Sequence, residues 1–222
     1  MLYIVPTPVG NLEDITLRAL RILKEATFIL AEDTRQTKKL LDHFGIQRPL
    51  QAYHKFNERA SCERIVQQLR SGATIAMVSD GGTPCISDPG YILVAACVES
   101  GIKVQCLPGA TAFVPALVNS GFDTAEFVFL GFPPHKKGRE TFFKNVAQEH
   151  KVVIFYESPF RVVKALEQLQ AYIGGERQIS VSREISKMFE ETKNGSCAEL
   201  LSHFQAHEPR GEFVFVIGPK LS

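Results

Sequence analysis

Three clusters of glycine, proline and hydroxyl residues are the places where this chain could bind a small ligand. They are residues 6–11, 80–90 and 108–112, and each follows a short apolar run typical of a strand. Glycine lets the backbone approach a ligand closely, while free N–H groups and threonine hydroxyls supply hydrogen bonds. A single cluster is also consistent with a tight β–α turn. Three of them favour a shared pocket, because ligands of open parallel sheets lie beyond the carboxyl ends of the strands.

Several common site motifs are missing from the sequence, which narrows the chemistry. Neither G-x-x-x-x-G-K-[ST] nor a G-x-G-x-x-G after the first strand is present, which disfavours a P-loop nucleoside triphosphatase and an ordinary dinucleotide site. There is no G-x-S-x-G elbow, and the six histidines fit no metal-binding spacing. The five cysteines include no C-x-x-C pair, so we expect free thiols and no bound metal.

The hydrophobic pattern predicts two α/β halves. Strand-like runs at residues 2–5, 27–31, 73–79 and 102–107 alternate with segments of helical period, which predicts a mainly parallel sheet with helices on both faces. Further strand-like runs at 126–131, 152–157, 178–183 and 212–217 alternate with helical segments and predict a mixed second sheet. We expect the division at the turn that follows Gly121, giving domains of residues 1–121 and 122–222.

Composition and charge limit the class of partner. Lys and Arg total 25 against 24 Asp and Glu, and this net charge of +1 leaves only local basic patches for a polyanion. The uncharged run at residues 104–122 contains Pro108, Pro115 and Gly121, so it does not predict a membrane helix. The N-terminus has no basic, apolar leader, and we expect a cytoplasmic protein.

Six short motifs, in order along the chain, resemble those of one enzyme family. They are PTPVGNLEDIT at 6–16, AEDTR at 31–35, SDGGTPCISDPG at 79–90, LPGATA at 107–112, FYESP at 155–159, and RE at 183–184 with FEE at 189–191. Together they are similar to the tetrapyrrole-methylase-like (class III) S-adenosylmethionine methyltransferases. The chain resembles the branch of that family that 2′-O-methylates a cytidine in the decoding region of 16S ribosomal RNA.

The resemblance implies a two-domain α/β homodimer that binds S-adenosylmethionine in a cleft between its domains and acts on small-subunit ribosomal RNA or the 30S subunit. Carried over position by position, it implies that the donor is lined by Pro8, Asp80, Gly82, Thr83, Pro84, Thr111, Ala112, Tyr156 and Phe213. Small residues at these positions suit the donor, because its adenine and methionine tail need close backbone contact.

Three positions depart from the family pattern. Phe160 stands where a His usually follows Ser-Pro, Gln36 where a His often follows Asp-Thr-Arg, and Gly81 where Ala is common. Because neither imidazole is present, neither can be an obligatory base in this chain.

Four charged residues in the matched motifs are candidates for assisting methyl transfer. The reaction is an in-line displacement helped mainly by alignment of the reactants, and a weakly acidic ribose hydroxyl gains from a nearby base or cation. The candidates are Asp33, Glu157, Glu184 and Lys187. Salt bridges are the alternative role for each, because ion-pair networks also collect charged residues. The sequence does not single out one base.

Two groups of basic residues are candidates for contact with RNA. Lys136, Lys137 and Arg139 follow an apolar segment, and Arg35 and Lys38 lie at the start of a predicted helix. Phosphate contacts from such residues would make binding depend on salt. A short basic loop is also typical of an ordinary solvated surface.

Two other functions are consistent with the same residues. The first is C-methylation of a tetrapyrrole, such as a cobalamin or sirohaem precursor, which would need a large pocket for an anionic macrocycle. The second is a non-catalytic module that binds the donor or RNA. The motifs at 31–35 and 156–159 favour the RNA branch, and the presence of Thr83 and Thr111 favours a working enzyme.

Overall fold

A computed structural model of the chain describes residues 1–174 and 176–220. Contacts within the chain divide it into two units, Met1–Thr111 and Ala112–Ser222, and each unit contains one five-stranded sheet.

The first unit is a parallel α/β unit. Its strands are β1 (Leu2–Ile4), β2 (Phe28–Ala31), β3 (Leu50–Ala52), β4 (Ile75–Val78) and β5 (Val104–Cys106). Its helices are α1 (Leu17–Glu25), α2 (Thr34–His43), α3 (Glu58–Arg70) and α4 (Tyr91–Glu99). All pairings are parallel in the order β3-β2-β4-β1-β5, so the carboxyl ends of the strands meet at one edge.

Alternating side chains of the central strands fill two apolar layers, one on each face of the first sheet. Leu30 and Met77 belong to the layer covered by α3 and α4, while Ile29 and Ala76 belong to the layer covered by α1 and α2. Strands β2 and β4 are buried at every position. Burial on both faces therefore explains why these strands are continuous apolar runs rather than alternating ones.

The second unit has a mixed sheet. Its strands are β6 (Phe127–Phe129), β7 (Val152–Glu157), β8 (Gln178–Arg183), β9 (Glu191–Ser196) and β10 (Phe213–Ile217). Its helices are α5 (Phe113–Asn119), α6 (Arg139–Gln148), α7 (Val162–Ile173) and α8 (Cys197–Ala206), with a short 3-10 turn at Pro159–Arg161. The strand order is β6-β7-β10-β8-β9; β6 pairs with β7 in parallel, and the other pairings are antiparallel.

Aromatic side chains form the centre of the second core, between the sheet and helices α6, α7 and α8. Phe155 and Phe215, on the paired strands β7 and β10, stack with their ring centres 4.9 Å apart. Phe143 of α6 packs edge-on against Phe155 at 5.9 Å. All three rings are fully buried, so this cluster ties α6 to the sheet.

The predicted fold class is confirmed, with a parallel first sheet and a mixed second one. The chain divides one helix earlier than the predicted boundary after Gly121, because α5 packs against β7, β8 and β10 of the second sheet. Two strands were not predicted, β3 and β9, and both lie at sheet edges.

The uncharged run at residues 104–122 forms β5 and α5, two short elements in different units. Among the described residues, no helix is both long and apolar enough to cross a membrane.

Candidate functional site

The three ligand-binding clusters predicted from the sequence come together at the carboxyl edge of the first sheet. Thr7, after β1, and Gly82, after β4, exchange backbone hydrogen bonds with N···O distances of 2.9 and 2.8 Å. The Thr7 hydroxyl also donates to the Ser79 carbonyl at 3.1 Å. The Thr83 hydroxyl donates to the carbonyl of Ala110, after β5, at 3.1 Å. These bonds join the loops that follow β1, β4 and β5.

The glycines of these loops are needed for close packing between the loops themselves. A Cβ atom on Gly109 would lie 2.6 Å from the ring of Pro6, and one on Gly81 would lie 3.3 Å from the Pro8 carbonyl oxygen. Gly82 has a φ of +86°, which disfavours any side chain there. The sequence predicts that N–H groups and threonine hydroxyls of these loops are hydrogen-bond donors to a ligand. In the structure, the Gly82 N–H and the Thr83 hydroxyl instead donate to backbone carbonyls within the first unit.

A group of carboxylates surrounds the same edge. Asp80 Oδ1 accepts a hydrogen bond from the backbone N–H of Asp33 at 3.1 Å. Burial, together with the nearby charges of Asp88 and Asp80, raises the pKa of Glu32 to about 7. Burial likewise raises the pKa of Asp88 to about 6 and that of Asp80 above its usual range. Glu32 is therefore partly protonated near neutral pH, and a cation bound at this edge would favour the charged form of all three carboxyl groups.

Asp33 and Arg35, predicted as a catalytic and an RNA-binding residue, are bonded to each other. Asp33 begins α2 and accepts from the Arg35 backbone N–H at 2.8 Å and from its guanidinium at 3.0 and 2.6 Å. The Arg35 hydrogen bonds lower the pKa of Asp33 to about 2. A carboxylate held that firmly in its charged form is a weak proton acceptor. The Arg35 side chain remains 86% exposed and accessible to a partner.

Glu32 is the carboxyl group that the sequence prediction missed. It is the first polar residue after β2, inside the motif at 31–35 from which Asp33 was selected as the catalytic candidate and Arg35 as an RNA contact. The signal that could have identified it is its position at the carboxyl end of a strand that is buried throughout. Its partial burial, rather than the identity of its sequence neighbours, sets its pKa near 7.

Glu157 and Arg139 form a buried ion pair, which corrects two predictions. Arg139 Nη2 donates to Glu157 Oε2 at 2.8 Å, with side chains 4% and 0% exposed. Arg139 also donates to Gln168 Oε1 and to the Pro134 carbonyl, and its guanidinium lies over the ring of Phe143. A guanidinium enclosed in this way does not reach an RNA phosphate. A carboxylate with no exposed surface does not reach a substrate hydroxyl.

The other oxygen of Glu157 organises the turn that follows β7. It accepts from the Ser158 backbone N–H and from Arg161 Nε, both at 2.8 Å. Arg161 Nη1 in turn lies 3.0 Å from His135 Nδ1. Glu157 therefore connects α6, the turn at Pro159–Arg161 and the loop before α6, which is a structural role.

Glu184 and Lys187 form a second ion-pair group in the loop between β8 and β9. Lys187 Nζ donates to Glu184 Oε1 and to Glu212 Oε2, both at 2.9 Å. Burial disfavours the charge of Glu184, but hydrogen bonds from Lys187 and from the Glu212 backbone lower its pKa overall. Burial also disfavours the charge of Lys187, yet its two carboxylate partners raise its pKa overall. Both side chains are thus charged at neutral pH and act as fixed charges rather than proton acceptors.

The remaining predicted donor-binding residues are divided between the two units. Pro8, Pro84 and Thr111 belong to the first unit, and Ala112, Tyr156 and Phe213 to the second. Tyr156 is half-buried, with its ring 5.1 Å from that of Phe129 and 5.3 Å from that of Phe132.

The side chain of Phe213 belongs to the second core. It is 2% exposed and packs edge-on against Phe204. Its ring therefore stabilises the fold, and contact of the donor with the segment around Phe213 stays a prediction.

The predicted RNA-binding lysines differ in their surroundings. Lys38 pairs with Asp42 at 3.0 Å and lines a surface cavity of about 400 Å³ between α2 and β3, away from the joined loops. Lys136 and Lys137 are exposed, and within residues 1–174 and 176–220 neither forms an ion pair. Of the predicted basic residues, these two are the most available to an anion.

Metal-ligating side chains are not grouped in the part of the chain that the structure describes. No three His, Cys, Asp or Glu residues there are arranged to hold a metal ion. The prediction that the protein binds no metal stays a prediction.

Comparison with known proteins finds relatives along nearly the whole chain. Residues 1–201 match the family model described as tetrapyrrole (corrin/porphyrin) methylases. A Thermotoga maritima protein named ribosomal RNA small subunit methyltransferase I is 42% identical over 99% of this chain and 98% of its own. Proteins of the same name from Synechocystis and Escherichia coli O157:H7 are 44% and 45% identical, with 98% and 97% of this chain and 78% and 77% of theirs covered.

Solved structures with low sequence identity share the fold. A cobalt precorrin-4 methyltransferase aligns with a TM-score of 0.72 at 15% identity, covering 98% of this chain and 94% of that one. The uroporphyrin-III-C-methyltransferase of Thermus thermophilus aligns with a TM-score of 0.66 at 19% identity, covering 98% and 93%. The two-sheet architecture is thus common to proteins that differ widely in sequence.

Removing one partner of the buried ion pair should destabilise the protein strongly. Arg139→Met leaves the enclosed Glu157 carboxylate without one of its guanidinium partners, and we expect a loss of about 3–5 kcal/mol in the free energy of unfolding. Arg35→Met, which breaks the exposed pair with Asp33, should cost much less, because exposed ion pairs contribute little to stability. Urea unfolding of both variants measures the difference. Equal losses would contradict the structural role of Glu157.

Glu32 should make the stability of the protein depend on pH. Its pKa is about 7 in the folded chain against 4.5 in the unfolded one, so its stabilising contribution is complete below pH 4.5 and disappears as pH rises through 7. Glu32→Gln mimics the protonated form and should be more stable than the unchanged protein at pH 8, by up to about 2 kcal/mol after allowance for solvent screening.

Denaturant unfolding between pH 4.5 and 8 measures this effect. The matched control is Glu63→Gln, on the exposed face of α3, which should show no such gain. A difference between Glu32→Gln and the unchanged protein that stays constant across this range would contradict the assignment.

Proposed function

Because the chain belongs to the tetrapyrrole (corrin/porphyrin) methylase family, we propose that it uses S-adenosylmethionine to 2′-O-methylate a cytidine in the decoding region of 16S ribosomal RNA. The observation that carries the proposal is the 42% identity to the Thermotoga maritima ribosomal RNA methyltransferase along almost the full length of both chains. The acceptor is ribosomal RNA, free or within the 30S subunit. The structures that share only the fold do not favour a tetrapyrrole acceptor, because their identity to this chain is below 20%.

The residues at the carboxyl edge of the first sheet fit the methyl donor. When bound, S-adenosylmethionine supplies a methyl group carried on a positively charged sulfur. The carboxylate of Asp80 suits the hydroxyls of its ribose, and the negative charge of the surrounding carboxylate group suits its positive charge. Pro8, Thr83 and Pro84 provide the close backbone surface around them. Thr111, Ala112 and Tyr156 remain predicted contacts from the resemblance.

We assign Glu32 the role of proton acceptor for the 2′-hydroxyl of the cytidine. General base catalysis is most effective when the pKa of the base lies near the working pH. The pKa of Glu32 is about 7, whereas Asp33 is held charged by Arg35 and Glu157 is fully enclosed. Glu32 also lies in the same carboxylate group as Asp80, which the family resemblance places at the donor.

A homodimer in the cytoplasm is implied by the family resemblance and remains a prediction. Sedimentation of the purified protein tests the first part, and the mass of a single chain would contradict the dimer.

Methyl transfer to RNA is the direct test of the function. Purified protein with labelled S-adenosylmethionine should label the 2′ oxygen of one cytidine in 16S RNA or in small subunits, and should leave uroporphyrinogen unlabelled. Lys136→Ala/Lys137→Ala should weaken RNA binding and reduce the slope of log affinity against log salt by about 1.4, because two phosphate contacts are lost at about 0.7 each. The control Lys164→Ala, exposed on α7, should change neither. Label in the tetrapyrrole alone would overturn the proposal.

Glu32→Gln should lower the rate of methyl transfer by roughly 100-fold or more at pH 7.5, as expected for loss of a general base. In the unchanged protein, kcat/KM should rise with pH through the pKa of about 7, where Glu32 of the free protein loses its proton. Single-turnover rates between pH 5.5 and 9 measure both effects. An unaltered pH profile in Glu32→Gln would show that another group accepts the proton.

A further inference from the structure

Phe160 is an aromatic side chain that the fold leaves in solvent. It lies in the 3-10 turn at Pro159–Arg161, directly after β7, and is 95% exposed. Single exposed apolar residues are common on protein surfaces and by themselves indicate nothing. Phe160 differs from such residues in how its backbone is held and in what lies beside it.

The turn that carries Phe160 is anchored on both sides by the enclosed Glu157 carboxylate. Ser158 N–H and Arg161 Nε both donate to Glu157 Oε1 at 2.8 Å, and the Arg161 N–H donates to the Ser158 carbonyl at 2.9 Å. Arg139 holds the other oxygen of Glu157. The Phe160 ring is therefore presented from an ordered backbone, so little backbone entropy would be lost when a partner contacts it.

Positive charge lies next to this turn. Arg161 Nη1 lies 3.0 Å from His135 Nδ1, which joins the turn to the loop that contains Lys136 and Lys137. Both lysines are exposed and lack an ion-pair partner in the described chain. An exposed ring on a turn that contacts a loop with two exposed lysines is complementary to an unpaired nucleotide, whose base offers a flat π-face and whose phosphate carries the negative charge.

We propose that Phe160 is a base-stacking platform for a single-stranded segment of the RNA substrate, with Lys136 and Lys137 contacting the adjacent phosphates. The inference rests on the proposed function and extends it from the methyl-transfer site to the way the RNA is held. Phe160 is a positioning residue, because it offers no group that takes part in methyl transfer. A stacking contact holds any of the four bases, so it fixes the strand while other contacts select the cytidine.

Loss of the ring should change substrate affinity rather than the chemical step. Phe160→Ala should raise KM for RNA about 10-fold, within the range for one stacked base, with kcat and KM for S-adenosylmethionine little changed. Phe160→Tyr and Phe160→His keep a flat ring and should restore most of the affinity, whereas Phe160→Leu should not. Because the side chain is exposed, none of these changes removes core packing.

The absence of tryptophan from the sequence gives a direct probe of stacking. Phe160→Trp places the single tryptophan of the chain at this position, and stacking on a base quenches indole emission. We expect a synthetic decoding-region oligoribonucleotide to quench this emission in a saturable way, because a base stacks on the indole ring. A ribose-phosphate oligomer of the same length without bases should leave the emission nearly unchanged. The matched control is Phe56→Trp, since Phe56 is 94% exposed and has a positive residue, Lys55, as its sequence neighbour, as Phe160 has Arg161.

The inference is overturned if the oligoribonucleotide leaves the emission of Phe160→Trp unchanged, or quenches Phe56→Trp equally. Quenching that depends on protein concentration without RNA would indicate contact between copies of the chain and would also overturn it. The unchanged protein is assayed in parallel for methylation of the same RNA. Absence of that activity refutes the proposed function itself, whereas activity without quenching at Phe160 refutes only the stacking role.

Discussion

The carboxylate of Glu157 imposes the strongest constraint on the second unit. A charge with no exposed surface is tolerated only when hydrogen bonds replace the water it has lost. Arg139, Arg161 and the Ser158 N–H supply those bonds. These donors come from α6, from the turn at Pro159–Arg161 and from Ser158, which joins that turn to β7. The hydrogen bonds of one carboxylate therefore fix the relative positions of α6, β7 and the turn. The same hydrogen bonds hold the turn that carries the exposed Phe160 ring, and Arg161 connects this turn to the loop that contains Lys136.

A different constraint acts on the first unit. Its parallel strands are buried on both faces, so polar residues are confined to the strand ends, and all carboxyl ends meet at one edge. Glu32, Asp80 and Asp88 are consequently crowded together at that edge. Partial burial and mutual repulsion raise the pKa values of Glu32 and Asp88 to about 7 and about 6. The chemistry of this edge thus follows from the topology of the sheet as much as from the residue types.

The apolar pattern of the sequence predicts the fold well, because burial on both faces leaves long apolar runs at β2 and β4 and a clear period in helices such as α1. The meeting of the glycine-rich loops was also predictable from parallel strand order. The roles of the charged residues were not. In the sequence, Arg139 follows two lysines and is predicted to belong to an exposed basic loop. Only the folded chain shows that Arg139, at the start of α6, pairs with Glu157, at the end of β7. Glu32 and Asp33 are neighbours in the same motif, and Asp33 was the one selected from the sequence. In the structure, partial burial raises the pKa of Glu32, whereas Arg35 lowers that of Asp33.

Strand β9 was not predicted from the sequence because it contains no large apolar side chain; its residues are Glu-Thr-Lys-Asn-Gly-Ser. It pairs along its full length with β8 and closes one side of the second sheet. Its outer backbone groups are available to pair with another extended peptide, yet Glu191 and Lys193 within the strand carry charges that such a peptide would have to desolvate. A charged edge strand of this kind disfavours edge-to-edge pairing between copies of the chain, and so opposes aggregation of the aromatic-rich second unit through β9.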